Sequence, residues 1–328
     1  MNMKFDIHVH VAQLHRHEST DQFVVHRPNR YVRMFLRQLG MSRQQLRQPT
    51  ANAMVRDRLL NWASAATIDR FVLLAMDSAF TADGQPDPAA SAWVVDNRFV
   101  AELARLHPSL LFGASVHPYR KDAQALTRTV IDAGACLMKW IPSAQRIQLD
   151  DPRCLPVYDL LAASGVPLLV HTGNEHSGSG GPNPWNAPGL LATPLRRGVK
   201  VIAAHCGARL FLHERSGFDA FCRMAREHEL LYGDLGAFAI PTRIRPLRAL
   251  QRDPLLLSKV VYGSDFPATT MAQWFVFSVG LSEVRRILRE PNPLERPYLL
   301  MRSMGLPDEV FTRAAGILRL PASSREAP

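Results

Sequence analysis

Eight short apolar runs recur along this chain, and each closes on a polar or turn-forming residue. They lie at 3–10, 70–77, 111–117, 135–141, 166–171, 200–205, 230–235 and 260–265. Runs of this length, rich in Val, Ile, Leu and Ala, are the pattern of buried parallel strands that deliver a polar side chain at the tip. Helix-like stretches separate them, such as 151–164 and 212–229. The first has Asp150 or Asp151 as N-cap, Pro152 in its first turn and Gly165 just past its end. Strands alternating with helices build either a closed barrel or a doubly wound open sheet. A nucleotide-binding open sheet would carry a Gly-rich phosphate loop after its first strand. Here that strand ends in His8-Val9-His10, with neither GxGxxG nor GxxxxGK[ST] behind it. The expected fold is therefore α/β, a (β/α)8 TIM barrel. It is expected to occupy residues 1–320 as a single domain, with 321–328 a flexible tail.

Two connections exceed what a crossover helix needs. One follows the first strand. The other, after the fifth, begins Thr172-Gly173-Asn174-Glu175-His176 and continues through a Gly/Ser/Pro-rich stretch to Trp185. In a barrel both insertions sit over the active-site face. The first carries much of the net charge of +10, with nine arginines (16, 27, 30, 33, 37, 43, 47, 56 and 58) against three acids in residues 11–60. A solvated helix face is the plain reading of such a segment, an anionic substrate or partner the next. Nucleic acid comes last, because aromatics do not alternate with the charges as a stacking platform requires.

No apolar run reaches the roughly 18 residues of a membrane helix. The opening Met1-Asn2-Met3-Lys4 leaves no room for a signal-peptide core, so the expected compartment is the cytoplasm. The four cysteines (136, 154, 206 and 222) form no CxxC pair and read as free thiols.

The chemistry sits at the strand tips. His8 and His10, two apart on a strand, project to one side and make half of a metal site. His171, His205 and Asp265 close the fifth, sixth and eighth runs. In a barrel these tips converge on one central point, so the five residues are expected to share a divalent metal. His117 ends the third run and is a candidate substrate contact, with a structural role as its alternative. Asp234 ends the seventh and reads as a hydrogen-bond partner. His15, His17 and His176 fall in the long loops and read as exposed, with a place at the border of the pocket as their alternative. Arg27, Arg30 and Arg33 could clamp a carboxylate.

In order, Asp6-x-His8-x-His10, Lys139-Trp-Ile-Pro142, His171-Thr-Gly173, Ala204-His205-Cys-Gly207 and Tyr262-Gly263-Ser264-Asp265-Phe266-Pro267 resemble the amidohydrolase superfamily. The likeness is to its branch of small metal-dependent hydrolases and decarboxylases, whose barrels lack a flanking β-sandwich. It extends over nearly the whole chain. The resemblance implies that His8, His10 and Asp265 bind one divalent ion, with His171 a ligand of that ion or of a second. In the branch's decarboxylases the residue at His205 acts on substrate rather than as a permanent ligand. Lys139 has two readings. In binuclear relatives such as dihydroorotases, a lysine in a Lys-x-x-Pro setting is carboxylated and bridges two metals. Otherwise it is an ammonium paired with Asp265 or with a substrate carboxylate. Zinc is the expected metal, as one or two ions, and manganese or iron also suit these ligands.

The expected activity is hydrolysis of an ester, lactone or amide in a small, carboxylate-bearing substrate. Asp265 accepts the proton of the attacking water, and His205 or Lys139 stabilises the oxyanion. The alternative is non-oxidative decarboxylation of a small aromatic or unsaturated acid at the same site. A non-catalytic, nucleic-acid-associated barrel is the third, and it predicts degraded ligand positions where these are intact. The expected partner is a small molecule, not nucleic acid or membrane, with homo-oligomerisation left open.

Overall fold

The structure, a computed structural model, describes residues 2–14, 37–91, 93–176 and 183–320. Expectations placed on Arg16, Arg27, Arg30, Arg33, His15, His17, residues 177–182 and the tail 321–328 lie outside the described residues. The eight expected strands all form: β1 Phe5–His10, β2 Arg70–Leu74, β3 Leu110–Ala114, β4 Leu137–Trp140, β5 Leu168–His171, β6 Val201–Ala204, β7 Leu231–Asp234 and β8 Val260–Val261. They are parallel and pair in sequence order. The last strand meets the first where the Ile7 N–H donates to the Tyr262 carbonyl (3.2 Å) and the His10 N–H to the Phe266 carbonyl (2.8 Å). This is the (β/α)8 TIM barrel, and no β-sandwich accompanies it among the described residues.

Alternation along the strands sorts side chains into two layers. Ile7, Val72, Leu74, Leu137, Leu169 and Ile202 fill the barrel interior, together with Ile317 and Leu318 near the chain's end. Leu73, Phe112, Met138, Val170 and Ala203 point outward into the layer shared with the helices. In β1 the alternation breaks. The pairing register against β2 shifts between Asp6 and Val9. Ile7 then belongs to the interior and Val9, two residues on, to the outer layer. A bulge of this kind re-aims a side chain, and here it turns His8 inward above Ile7.

Several strands end before their expected C-terminal limits, although β1 and β5 end where expected, on His10 and His171. His205 and Asp265 adopt left-handed φ values of 63° and 60°. A β ladder cannot continue through such residues. Helices likewise begin later than expected. Asp151 caps a single 3-10 turn, Pro152–Cys154, and the α-helix proper is Leu155–Ser164, ending on left-handed Gly165. The expected helix at 212–229 is Phe218–Glu227, because residues 212–217 form a connection that carries Glu214. No described helix is long and apolar enough to cross a membrane. All four cysteines are free, three of them buried.

Candidate metal centre

Three electron-pair donors meet at the C-terminal mouth of the barrel. His8 Nε2 lies 3.1 Å from His10 Nε2 and 3.1 Å from Asp265 Oδ1, and His10 Nε2 lies 3.3 Å from that same oxygen. The tautomer of His8 follows from its other nitrogen. Nδ1 sits 2.6 Å from Asp234 Oδ2, and a carboxylate only accepts, so the proton is on Nδ1. Nε2 of the same ring faces the Asp265 oxygen and His10 Nε2 together, so three ligand atoms converge where one cation would satisfy them all. Ligand atoms sharing one ion at about 2.1 Å are roughly 3.0–3.4 Å apart in octahedral or tetrahedral arrangements, which matches the spacing here. A neighbouring atom makes the same demand: His171 Nε2 is buried without a hydrogen-bond partner. The residues fit a divalent metal, and a mixed imidazole–carboxylate set suits zinc, manganese or iron.

The surroundings hold these donors in place. Asp234 is fully buried, and its second oxygen accepts the His205 N–H (2.7 Å) and the Gly236 N–H (2.8 Å). Burial opposes its charge, but His8, His205 and Lys139 outweigh that and hold the carboxyl well below the usual range. The same contest, won chiefly by His8 and His10, keeps Asp265 ionised. His10 is pushed down to about 4 by burial, and His205 falls by the same cause with help from Arg243. Neutral imidazoles and ionised carboxylates are the protonation states a metal requires. Asp6 ties the seam beneath, accepting the His8 N–H (3.1 Å) and the Ser264 N–H (2.8 Å).

Lys139, fully buried at the end of β4, places Nζ 3.1 Å from His8 Nε2. Burial brings it down to about 8, against the attraction of Asp234, Asp265 and Glu175. His205 donates from Nδ1 to the Gly236 carbonyl (3.0 Å), which leaves its Nε2 as an acceptor 3.3 Å from His171 Nδ1. His171 Nδ1 also lies 3.4 Å from a Glu175 oxygen.

A cavity of about 510 Å³ opens above this cluster. His10, His171, His205 and Asp265 line it on the metal side, with Trp93, Ile141, Phe211, Ile240 and Met271 as apolar wall and Arg37 and Arg243 as cations. His176 takes the second of its two expected places: it borders the cavity and bonds Glu214 at 2.5 Å, joining the connection after β5 to the one after β6.

The fold thus gathers His8, His10, Lys139, His171, His205 and Asp265 at one point. His117 is not brought there. It is fully buried outside the cavity, its Nε2 donating to the Gln145 carbonyl (2.7 Å) and its Nδ1 accepting the Tyr119 N–H (3.1 Å). Both ring nitrogens are spent on backbone, which makes it a brace. Sequence reasoning missed Trp93, Glu214 and Arg243. They lie on connections whose course no local pattern reveals, and an arginine in so basic a chain carries no signal of its own.

A family profile described as Amidohydrolase matches residues 5–286. Among solved structures, an uncharacterized TIM-barrel protein from Bordetella bronchiseptica aligns over 92% of this chain and 99% of its own, with a TM-score of 0.57 at 17% identity. IDCase from Metarhizium anisopliae aligns over 90% of this chain and 97% of its own (TM-score 0.49, 14% identity). For 5-carboxyvanillate decarboxylase from Sphingomonas paucimobilis the shares are 95% and 99% (TM-score 0.43, 14% identity). The comparison with curated proteins returned no match. At 17% identity the likeness to the Bordetella protein speaks to the fold, whereas the profile covers most of the sequence itself: the chain belongs to the amidohydrolase family.

Proposed function

We propose that this chain is a metal-dependent hydrolase acting on an ester, lactone or amide of a small molecule held in the barrel-mouth cavity. The observation that carries the reading is the triangle of His8 Nε2, His10 Nε2 and Asp265 Oδ1, with sides of 3.1–3.3 Å. In this reading His8, His10 and Asp265 hold one ion, zinc in the first instance, and the unpaired Nε2 of His171 offers a further ligand. Such an ion supplies a lowered water pKa, near 7, and polarises a carbonyl. Asp265 orients the attacking water and takes its proton. Burial brings Lys139 down to about 8. Its Nζ lies 3.1 Å from His8 Nε2, and with that nitrogen taken up by an ion Lys139 would be the group placed to donate to the substrate oxyanion. His205, fixed by the Gly236 carbonyl, presents its acceptor nitrogen beside the reacting group.

One observation favours decarboxylation as a second reading. Of the two three-residue groupings able to hold an ion among the described residues, the one containing Asp234 is already committed, because Asp234 serves His8 and the backbone of His205. That leaves a single open triad, an arrangement suited to one metal. In this reading His205 or Asp265 delivers a proton to the carbon that loses CO₂.

Elemental analysis of metal in the wild type and in a His8→Ala/His10→Ala double variant tests both, alongside turnover of ester, lactone, amide and aromatic-acid panels. Metal retained by the wild type, lost in the variant and required for hydrolysis supports the first reading. About two ions per chain would assign the Lys139 carbamate, and about one the ammonium. CO₂ release without hydrolysis moves the assignment to the second reading. A wild-type chain that takes up no metal rules out both.

A further inference from the structure

Arg243 sits where a cation is expensive. It ends the 3-10 turn Pro241–Arg243 after β7, is only 4% exposed, and lines the cavity. Its guanidinium donates to three neutral carbonyls, those of Gly236 (2.7 Å), Ala208 (3.1 Å) and Arg209 (3.4 Å). No described carboxylate comes within the 4.0 Å of an ion pair. Asp265, Asp234 and Glu214 attract it only from a distance. Guanidinium has five N–H groups, so two remain on a side chain that faces the cavity. A buried cation is ordinarily paired with an anion. Here the protein supplies scaffolding carbonyls and leaves the counter-charge open.

The placement is specific. The Gly236 carbonyl that accepts from Arg243 also accepts from His205 Nδ1. A ligand anion on Arg243 is thereby set beside the His205 ring, and through it beside the metal cluster. Around it stand Trp93, Ile141, Phe211, Ile240 and Met271. A cation at one end and apolar walls around it describe an amphipathic anion with a compact hydrocarbon body. We infer that Arg243 is the specificity residue of this site and takes a free carboxylate of the substrate. On the hydrolase reading, on which this assignment rests, the substrate class is then an ester, lactone or amide that carries a second, unreacting carboxylate on an apolar or aromatic frame.

The test compares benzoate with benzamide, its neutral isostere, by calorimetric titration of the full-length metal-loaded chain. Wild type is expected to prefer benzoate by about tenfold or more. Arg243→Gln should abolish the preference while changing benzamide affinity by less than about twofold, and Arg243→Lys should restore part of it. A merely structural arginine would weaken both probes together. Equal binding of the two probes by wild type overturns the assignment, as does binding of neither. A preference that survives Arg243→Gln also overturns it and places the carboxylate on the metal cluster or on Arg37. Should Arg243→Gln fail to fold, the wild-type pair and Arg243→Lys decide the matter. A benzoate preference that depends on Arg243, in a protein that hydrolyses nothing, would keep the carboxylate site and remove the hydrolase reading.

Discussion

Asp234 touches no part of the cavity, yet two of its neighbours depend on it. One oxygen fixes the proton of His8 on Nδ1, and the other holds the backbone where His205 turns. Asp234→Asn keeps an oxygen for His8 but removes the charge that steadies its tautomer. Metal affinity should fall by about 10–100-fold, read by competition with a chelator of known strength. A change of less than about twofold would mean that His8 is oriented by packing alone. His117 yields a prediction of a different kind. Burial, more than any neighbour, pushes its pKa down to about 3. Protonating Nδ1 would also set an N–H against the Tyr119 N–H. An unfolded histidine titrates near 6.5, so between about 3 and 6.5 the unfolded chain binds the extra proton. This contribution to stability is complete above 6.5 and is lost as the pH falls toward 3. The urea midpoint of wild type should therefore drop more between pH 7 and pH 4.5 than that of His117→Gln. Parallel curves would refute it.

The elements that matter are those that depart from regularity. The bulge in β1 turns His8 inward above Ile7, and β8 stops after two residues so that the chain can bring Asp265 over β1. The Asp265 N–H donates to the His8 carbonyl (2.8 Å), binding the two ligand segments directly. At the end of β7, Gly236 passes so close that a Cβ there would stand 2.9 Å from Asp234 Oδ1, 2.9 Å from His205 Nδ1 and 3.0 Å from His8 Nδ1. Gly236→Ala should cost about 1–3 kcal/mol of unfolding free energy, read from urea denaturation, and lower metal uptake with it. Unchanged uptake would show that the cluster can yield. Much of this region was legible beforehand because the signals were local. Apolar runs with polar tips told of the barrel, and the two-residue spacing of His8 and His10 told of a shared face. The bulge was not legible, since register depends on a partner strand far along the chain. Nor was the pairing of Asp234 with His8, a contact spanning 226 residues. The loop residues Trp93, Glu214 and Arg243 depend on the paths of connections and carry no period.

For the molecule as a whole, an ion bound only by the native state adds to its stability by mass action. At a thousandfold excess over the dissociation constant the gain is about 4 kcal/mol. Chelation should lower the calorimetric melting temperature by several degrees, and added zinc should restore it. A melting temperature indifferent to both would place the cluster outside the folding equilibrium. The seam between β8 and β1 gives this stabilisation a further meaning. His8 and His10 stand on the first strand and Asp265 follows the eighth, so the three donors come together only where the two ends of the sheet meet. An ion held by all three would act as a clasp on the ring, and its removal would loosen the barrel first at that junction.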